Sequence, residues 1–160
     1  MFINQVLSHW QTSFGNLQFS SQTFYDQVIA TLKTHQPPNA SASVVQLKEK
    51  GIFSSSRDYL RVQSGNLVYD ICAAPYGTDF FVSYWFYETA GAMRQIFQKT
   101  KFGNFLEERA SKKTFYQADE EGMFSSTVHN AILETIDAIV KEKGIRPLTD
   151  IERMAKAGGM

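Results

Sequence analysis

Cysteine is nearly absent. The 160-residue chain has one, Cys72, which excludes an intramolecular disulfide and any zinc site built on several thiolates. Net charge is absent too: 16 Lys and Arg balance 16 Asp and Glu. Bulk charge therefore offers no grip on nucleic acid, which is not an expected partner. No apolar run is long. The strongest, Phe80 to Tyr87, falls far short of the roughly 20 residues that span a bilayer as a helix. The opening MFINQVLSHWQTSFG has no basic start, no unbroken apolar core and no small-residue cleavage site, so it does not read as a signal peptide. A cytoplasmic protein with a free thiol is the expectation. Ala157-Gly158-Gly159-Met160 has little to pack and reads as a frayed end, with a flexible tail expected from about residue 155.

Catalytic signatures are missing as well. The chain contains no P-loop, no G-x-G-x-x-G, no G-x-S-x-G and no H-x-x-x-H pair. A thiol nucleophile needs a histidine base and a group to orient it. His9, His35 and His129 are all distant from Cys72 in sequence, and a strand cysteine usually serves as a small hydrophobe. Asp119-Glu120-Glu121 is contiguous, so its side chains diverge around a helix and do not converge on a metal. No catalytic residue, metal or cofactor is assigned, and the chain leans away from being an enzyme.

What is plentiful is aromatic: 13 Phe, 7 Tyr and 2 Trp. With 43% hydrophobic and 20% charged residues the composition is otherwise that of an ordinary globular domain, and the length suits one domain, 1–160.

Phe2, Val6, Leu7 and Trp10 recur at helical spacing, which predicts an N-terminal helix stopped by Gly15-Asn16. A second helix is predicted from Ser21 to His35, capped by Ser20 or Ser21 and ended by Pro37-Pro38. Four strands follow: Val44 to Gly51, Tyr59 to Gln63, Leu67 to Ala74 and Phe80 to Glu88. Their short connections, including the turn Ser64-Gly65-Asn66, predict an antiparallel meander. A helix is then expected from Ala90 to Lys101, a short turn or helix over 105–112, and a helix from Ala118 to Lys143 with Gly144 as cap. Acidic residues at the start of the last helix suit its dipole. The fold class is α+β: a four-stranded antiparallel meander with N-terminal and C-terminal helices packed on it.

Registering the strands by their turn separates two faces. Leu60, Val62, Leu67, Tyr69, Ile71 and Ala73 form a core face. Arg57, Tyr59, Arg61, Val68, Asp70 and Cys72 form the other, joined by Phe81, Ser83, Trp85 and Tyr87 if the fourth strand pairs after a four-residue loop. Two readings fit this second face. One is a ligand pocket, with Arg57 and Arg61 for an anion, Asp70 beside them, and Tyr59 and Trp85 for stacking. The other is an Arg–Asp pair that only holds the sheet. The aromatic fourth strand likewise suits either a central, doubly buried position or a surface for a partner.

The stretches GIFSSSRDYLRV from Gly51, YDICAAPYGT from Tyr69 and FFVSYW from Phe80 resemble an uncharacterised bacterial protein family. The likeness resumes at Met123-Phe124, Val128-His129, Ile136-Asp137 and Lys143-Gly144. That family carries a hydrophobic, membrane-spanning insert after the aromatic strand. Here the corresponding stretch holds Arg94, Lys99, Lys101, Glu107, Glu108, Arg109, Lys112 and Lys113, and cannot span. The resemblance assigns no catalytic residue, but implies relatives that work at a membrane. Met93, Ile96 and Phe97 beside Arg94, Lys99 and Lys101 would suit a surface-seeking helix or one packed on the sheet. Three functions remain open: a non-enzymatic binding module that meets a protein partner or itself, a small-anion or nucleotide-type binding protein or enzyme using the Arg57, Arg61 and Asp70 face, and a peripheral membrane protein.

Overall fold

The structure, a computed structural model, describes residues 3–48, 55–90 and 113–158. Its elements run β1 (Ile3–Phe14), α1 (Ser21–His35), β2 (Ala40–Lys48), β3 (Ser56–Ser64), β4 (Leu67–Tyr76), β5 (Asp79–Thr89), α2 (Phe115–Lys143) and β6 (Lys156–Ala157). Beyond Ala90 itself, the helix expected from Ala90 to Lys101, with Met93, Ile96 and Phe97, and the short turn or helix expected over 105–112 lie outside the described residues.

The expected meander is present as β2 to β5. Gly65 (φ 58°) and Gly77 (φ 60°) supply the positive φ that its two tight turns require. The last turn is Gly77-Thr78, with Tyr76 paired to Asp79, rather than a four-residue loop. Side-chain parity is the same in both cases. Among the described residues the sheet nevertheless has six strands, in the order β2-β3-β4-β5-β1-β6, and every pairing is antiparallel. Strands, not helices, are the first and last elements.

The predicted N-terminal helix is β1. Its sequence mimics a helix because the strand is irregular. The register slips between Val6 and Ser8, and such a bulge changes which face the residues before it occupy. Leu7, Trp10 and Phe14, at spacings of three and four, therefore all pack on one core. The opposite edge of β1 holds β6. Lys156 and Ala157, expected in a loose tail, pair with His9 and Ser8. The next amide, Gly158 N–H, donates to the Leu7 carbonyl at 2.8 Å.

α1 begins and ends where the sequence places it. Ser20 accepts from the Thr23 amide, and Gln36, in the left-handed region, closes the end. α2 starts three residues earlier than expected, at a capping box. Thr114 accepts from the Gln117 amide, while the Gln117 side chain accepts from the Thr114 amide. The acidic run Asp119 to Glu121 thus falls in the second turn, and the first turn carries no acid.

Both helices lie on one face. Phe24, Tyr25, Val28 and Leu32 of α1, with Val128, Ile132 and Ile136 of α2, bury against Leu60, Tyr69, Ile71, Tyr84 and Phe86. Tyr69 and Phe86 stack with centroids 4.4 Å apart. Truncating Ile132, which is fully buried, would cost about 2–5 kcal/mol. β5 sits between β4 and β1, which accounts for a strand apolar on both faces.

Candidate functional site

The pairing confirms the two sheet faces. On the side away from the helices, one cross-strand row runs Ser43–Arg61–Asp70–Trp85–His9–Lys156. Arg61 and Asp70 are direct partners in that row and join through two hydrogen bonds, Nε to Oδ1 at 2.8 Å and an η-nitrogen to Oδ2 at 2.9 Å. The Tyr87 hydroxyl donates to Asp70 Oδ2 at 2.6 Å. Asp70 and Tyr87 are buried. Burial, with the neighbouring carboxylate, pushes the Tyr87 phenol well above its ordinary range. Next in the row, Trp85 stacks on His9 with centroids 3.9 Å apart and an 18° tilt. His9 Nδ1 lies 2.8 Å from the Tyr84 carbonyl and, as that oxygen can only accept, carries the proton.

The remaining predicted residues gather one row away. β3 and β4 pair only from Leu60–Ile71 to Ser64–Leu67. Where they part, the Tyr25 hydroxyl from α1 bridges them, donating to the Asp58 carbonyl at 2.8 Å and accepting from the Ala73 amide at 2.9 Å. Arg57, Tyr59 and Cys72 meet on the other side of this parting. Cys72 is buried, and burial pushes its thiol up, against the opposing pull of the Arg57 guanidinium. Burial also raises the Tyr59 phenol. None of the three histidines is among the groups acting on the thiol, so a Cys–His pair is not assembled.

The five sequence-derived site residues therefore share a face but form two groups. Arg61 and Asp70 satisfy each other, with Trp85 stacked beside them on His9. Arg57 and Tyr59 stand next to Cys72. Tyr59, Phe81 and Trp85 are partly exposed, and no helix packs on this face among the described residues.

Two features escaped the sequence. The first is a groove of about 1030 Å³ where the α1–β2 loop, the β3–β4 turn and the start of α2 converge. Asn39, Asn66, Tyr116, Gln117, Glu120 and Met123 are among its lining residues. Lys113 bridges Glu121 and Glu88 there, the latter at 3.8 Å. No predicted site residue borders it. These residues come from loops and a helix start far apart in sequence, so no local pattern marks them. The second is the pair of partners that hold His129, which the sequence offers only as a packed or surface histidine. His129 Nε2 donates to the Arg153 carbonyl at 2.8 Å, which leaves Nδ1 to accept from the Tyr84 hydroxyl at 3.0 Å. Burial holds this imidazole below its ordinary pKa, and pushes the Tyr84 phenol up to about 12.

Among the described residues no cluster of three or more His, Cys, Asp or Glu is placed to hold a metal. No helix among them is long and apolar enough to cross a membrane. No protein-family model, curated protein or solved structure matches the chain.

Proposed function

We propose that this chain is a non-enzymatic interaction module whose partners are protein surfaces, a second copy of itself first among them. One observation carries the reading. On the face that no described helix covers, Arg61, Asp70 and Tyr87 satisfy one another, while Tyr59, Phe81 and Trp85 keep part of their surface exposed. A face of satisfied polar groups and accessible aromatic area suits docking of another surface. Among its described residues the carboxylate of Asp70 is paired and the thiol of Cys72 is buried, which suits binding better than catalysis. The test is the solution mass by light scattering on a sizing column from about 1 to 100 µM, with and without mild detergent. Association is expected, and a monomer at every concentration overturns the reading. Dependence on detergent would move the weight to the membrane-linked alternative.

A second reading rests on Arg57, which is exposed and lies beside Tyr59 and Cys72 where β3 and β4 part. A guanidinium with an adjacent phenol suits a small anion such as a phosphate group. Calorimetric titration with inorganic phosphate, comparing the natural chain with Arg57→Ala, tests it. Equal heats from the two proteins would remove it.

A further inference from the structure

The two edges of the sheet are treated differently. β1 is covered along part of its length by β6 and by the Gly158–Leu7 hydrogen bond. Among the described residues β2, nine residues long, ends the sheet at the other side with no strand beyond it. Every second residue of such a strand turns its N–H and C=O outward, ready for another chain. Proteins usually blunt an edge like this with proline, a bulge or inward charge. β2 reads Ala-Ser-Ala-Ser-Val-Val-Gln-Leu-Lys. It has no proline, its register with β3 is unbroken from Ala40–Ser64 to Lys48–Ser56, and its only charge is the terminal Lys48.

A second, independent observation concerns support. Because β3 leaves β4 beyond Leu60–Ile71, the half of β2 from Val45 to Lys48 pairs with a β3 segment that no third strand among the described residues backs. It is a two-stranded ribbon, and such ribbons are marginal in water without further strands. Val44, at the root of this ribbon, is 40% exposed, and Leu47, within it, 38%.

We propose that two copies of this chain join through antiparallel pairing of β2 with β2 of the partner, about a two-fold axis at Val44. The strand's own chemistry suits a second copy as the partner: β2 carries one charge, at its end, and its register is unbroken. With that axis Val44 faces its own copy, Ser43 faces Val45, Ala42 faces Gln46 and Ser41 faces Leu47. Each ribbon half then lies along the better-supported half of the other strand, so each copy supplies the third strand that the other lacks. The two Lys48 ammonium groups sit at opposite ends, ~27 Å apart at the usual rise per residue. A parallel arrangement would bring them together. Full overlap gives roughly eight to ten backbone hydrogen bonds, as many as a typical specific interface carries. The inference rests on the self-association reading above and assigns it a surface.

Sedimentation velocity of the natural chain, Val44→Lys and Val44→Thr tests it, together with mild oxidation of Val44→Cys and Ala40→Cys. Val44→Lys places like charges face to face on the axis, at a site exposed enough to accept lysine in the folded monomer. It should raise the dimer dissociation constant about tenfold or more, while Val44→Thr should stay within a few fold of the natural chain. Val44→Cys should give a disulfide-linked dimer. Ala40→Cys, far from its copy in this register, should not, and buried Cys72 serves as the shared background. A dimer that Val44→Lys leaves intact, with no cross-link through residue 44, overturns the edge pairing and leaves the self-association reading standing on another surface. A natural chain that is monomeric throughout overturns both. If Val44→Lys does not fold, the cross-link comparison decides.

Discussion

Arg61 and Asp70 face each other across β3 and β4 and share two hydrogen bonds of 2.8 and 2.9 Å. The carboxylate is nearly enclosed and the guanidinium is about one-fifth exposed (side-chain exposure 8% and 19%). Breaking such a pair strands one charge in a poorly solvated place. Arg61→Ala should therefore lower stability by about 2–3 kcal/mol, less than for a fully buried pair because solvent reaches the guanidinium. Tyr87→Phe, which removes one bond to the same carboxylate, should cost about 1–2 kcal/mol. Urea denaturation measures both. An Arg61→Ala protein as stable as the natural one would mean that the pair does not hold the sheet.

His129 gives stability a pH dependence. It is held neutral between the Tyr84 hydroxyl and the Arg153 carbonyl, with its folded pKa below the ordinary value. The unfolded chain then binds the extra proton more readily than the folded one. The stabilisation is complete above the unfolded value of about 6.5 and is lost as pH falls from there toward the lower folded value. Urea midpoints at pH 7.5 and 5.5 should differ more for the natural chain than for His129→Gln. Equal differences would remove His129 as the cause.

Gly158 is required by contact, not by dihedral freedom. A Cβ there would sit 2.0 Å from the Val6 carbonyl oxygen. Gly158→Ala should release β6 from β1 and leave the core intact. Trypsin should then cut after Lys156 much faster, while the urea midpoint moves little. Unchanged cleavage would show that β6 is not held by that contact.

Cys72 should be inert in the folded protein. It is buried and its thiol is pushed up by burial, so the reactive thiolate is scarce and shielded. Labelling by a soluble disulfide reagent at pH 8 should be at least about a hundredfold slower than in urea. Rapid native labelling would place the thiol at an open site.

Much of this architecture is legible in the sequence, for local reasons. Gly65 and Gly77 fix the turns, the alternation from Leu60 to Ala73 fixes the faces, and the apolar stripe from Phe124 to Ile139 fixes α2. Counting back from the turn brings Asp70 within cross-strand or diagonal reach of Arg61, and the Gly65-Asn66 centre seen in the structure makes them direct partners. The misread parts depend on long-range partners. β1 looks helical because Phe2, Val6, Leu7 and Trp10 recur at helical spacing. A bulge between Val6 and Ser8 lets Leu7 and Trp10 share the core within a strand, and that strand forms by pairing with β5, far along the chain. β6 is too short to carry a pattern, and only the close approach at Gly158 hints at it. The division of the site also follows from a distant residue. Tyr25 of α1 bridges β3 and β4 where they part, and Arg57 stands beyond that point, away from Arg61.

The central claim is that this chain is built to associate, with β2 as its contact. Backbone hydrogen exchange at about 1 µM and 100 µM measures this most directly. At the higher concentration alternate amides between Ala40 and Lys48 should exchange more slowly, and the amides of α2 should be unchanged. Exchange that is the same at both concentrations throughout the chain, with a mass that stays at the 18.2 kDa of one copy, would contradict it.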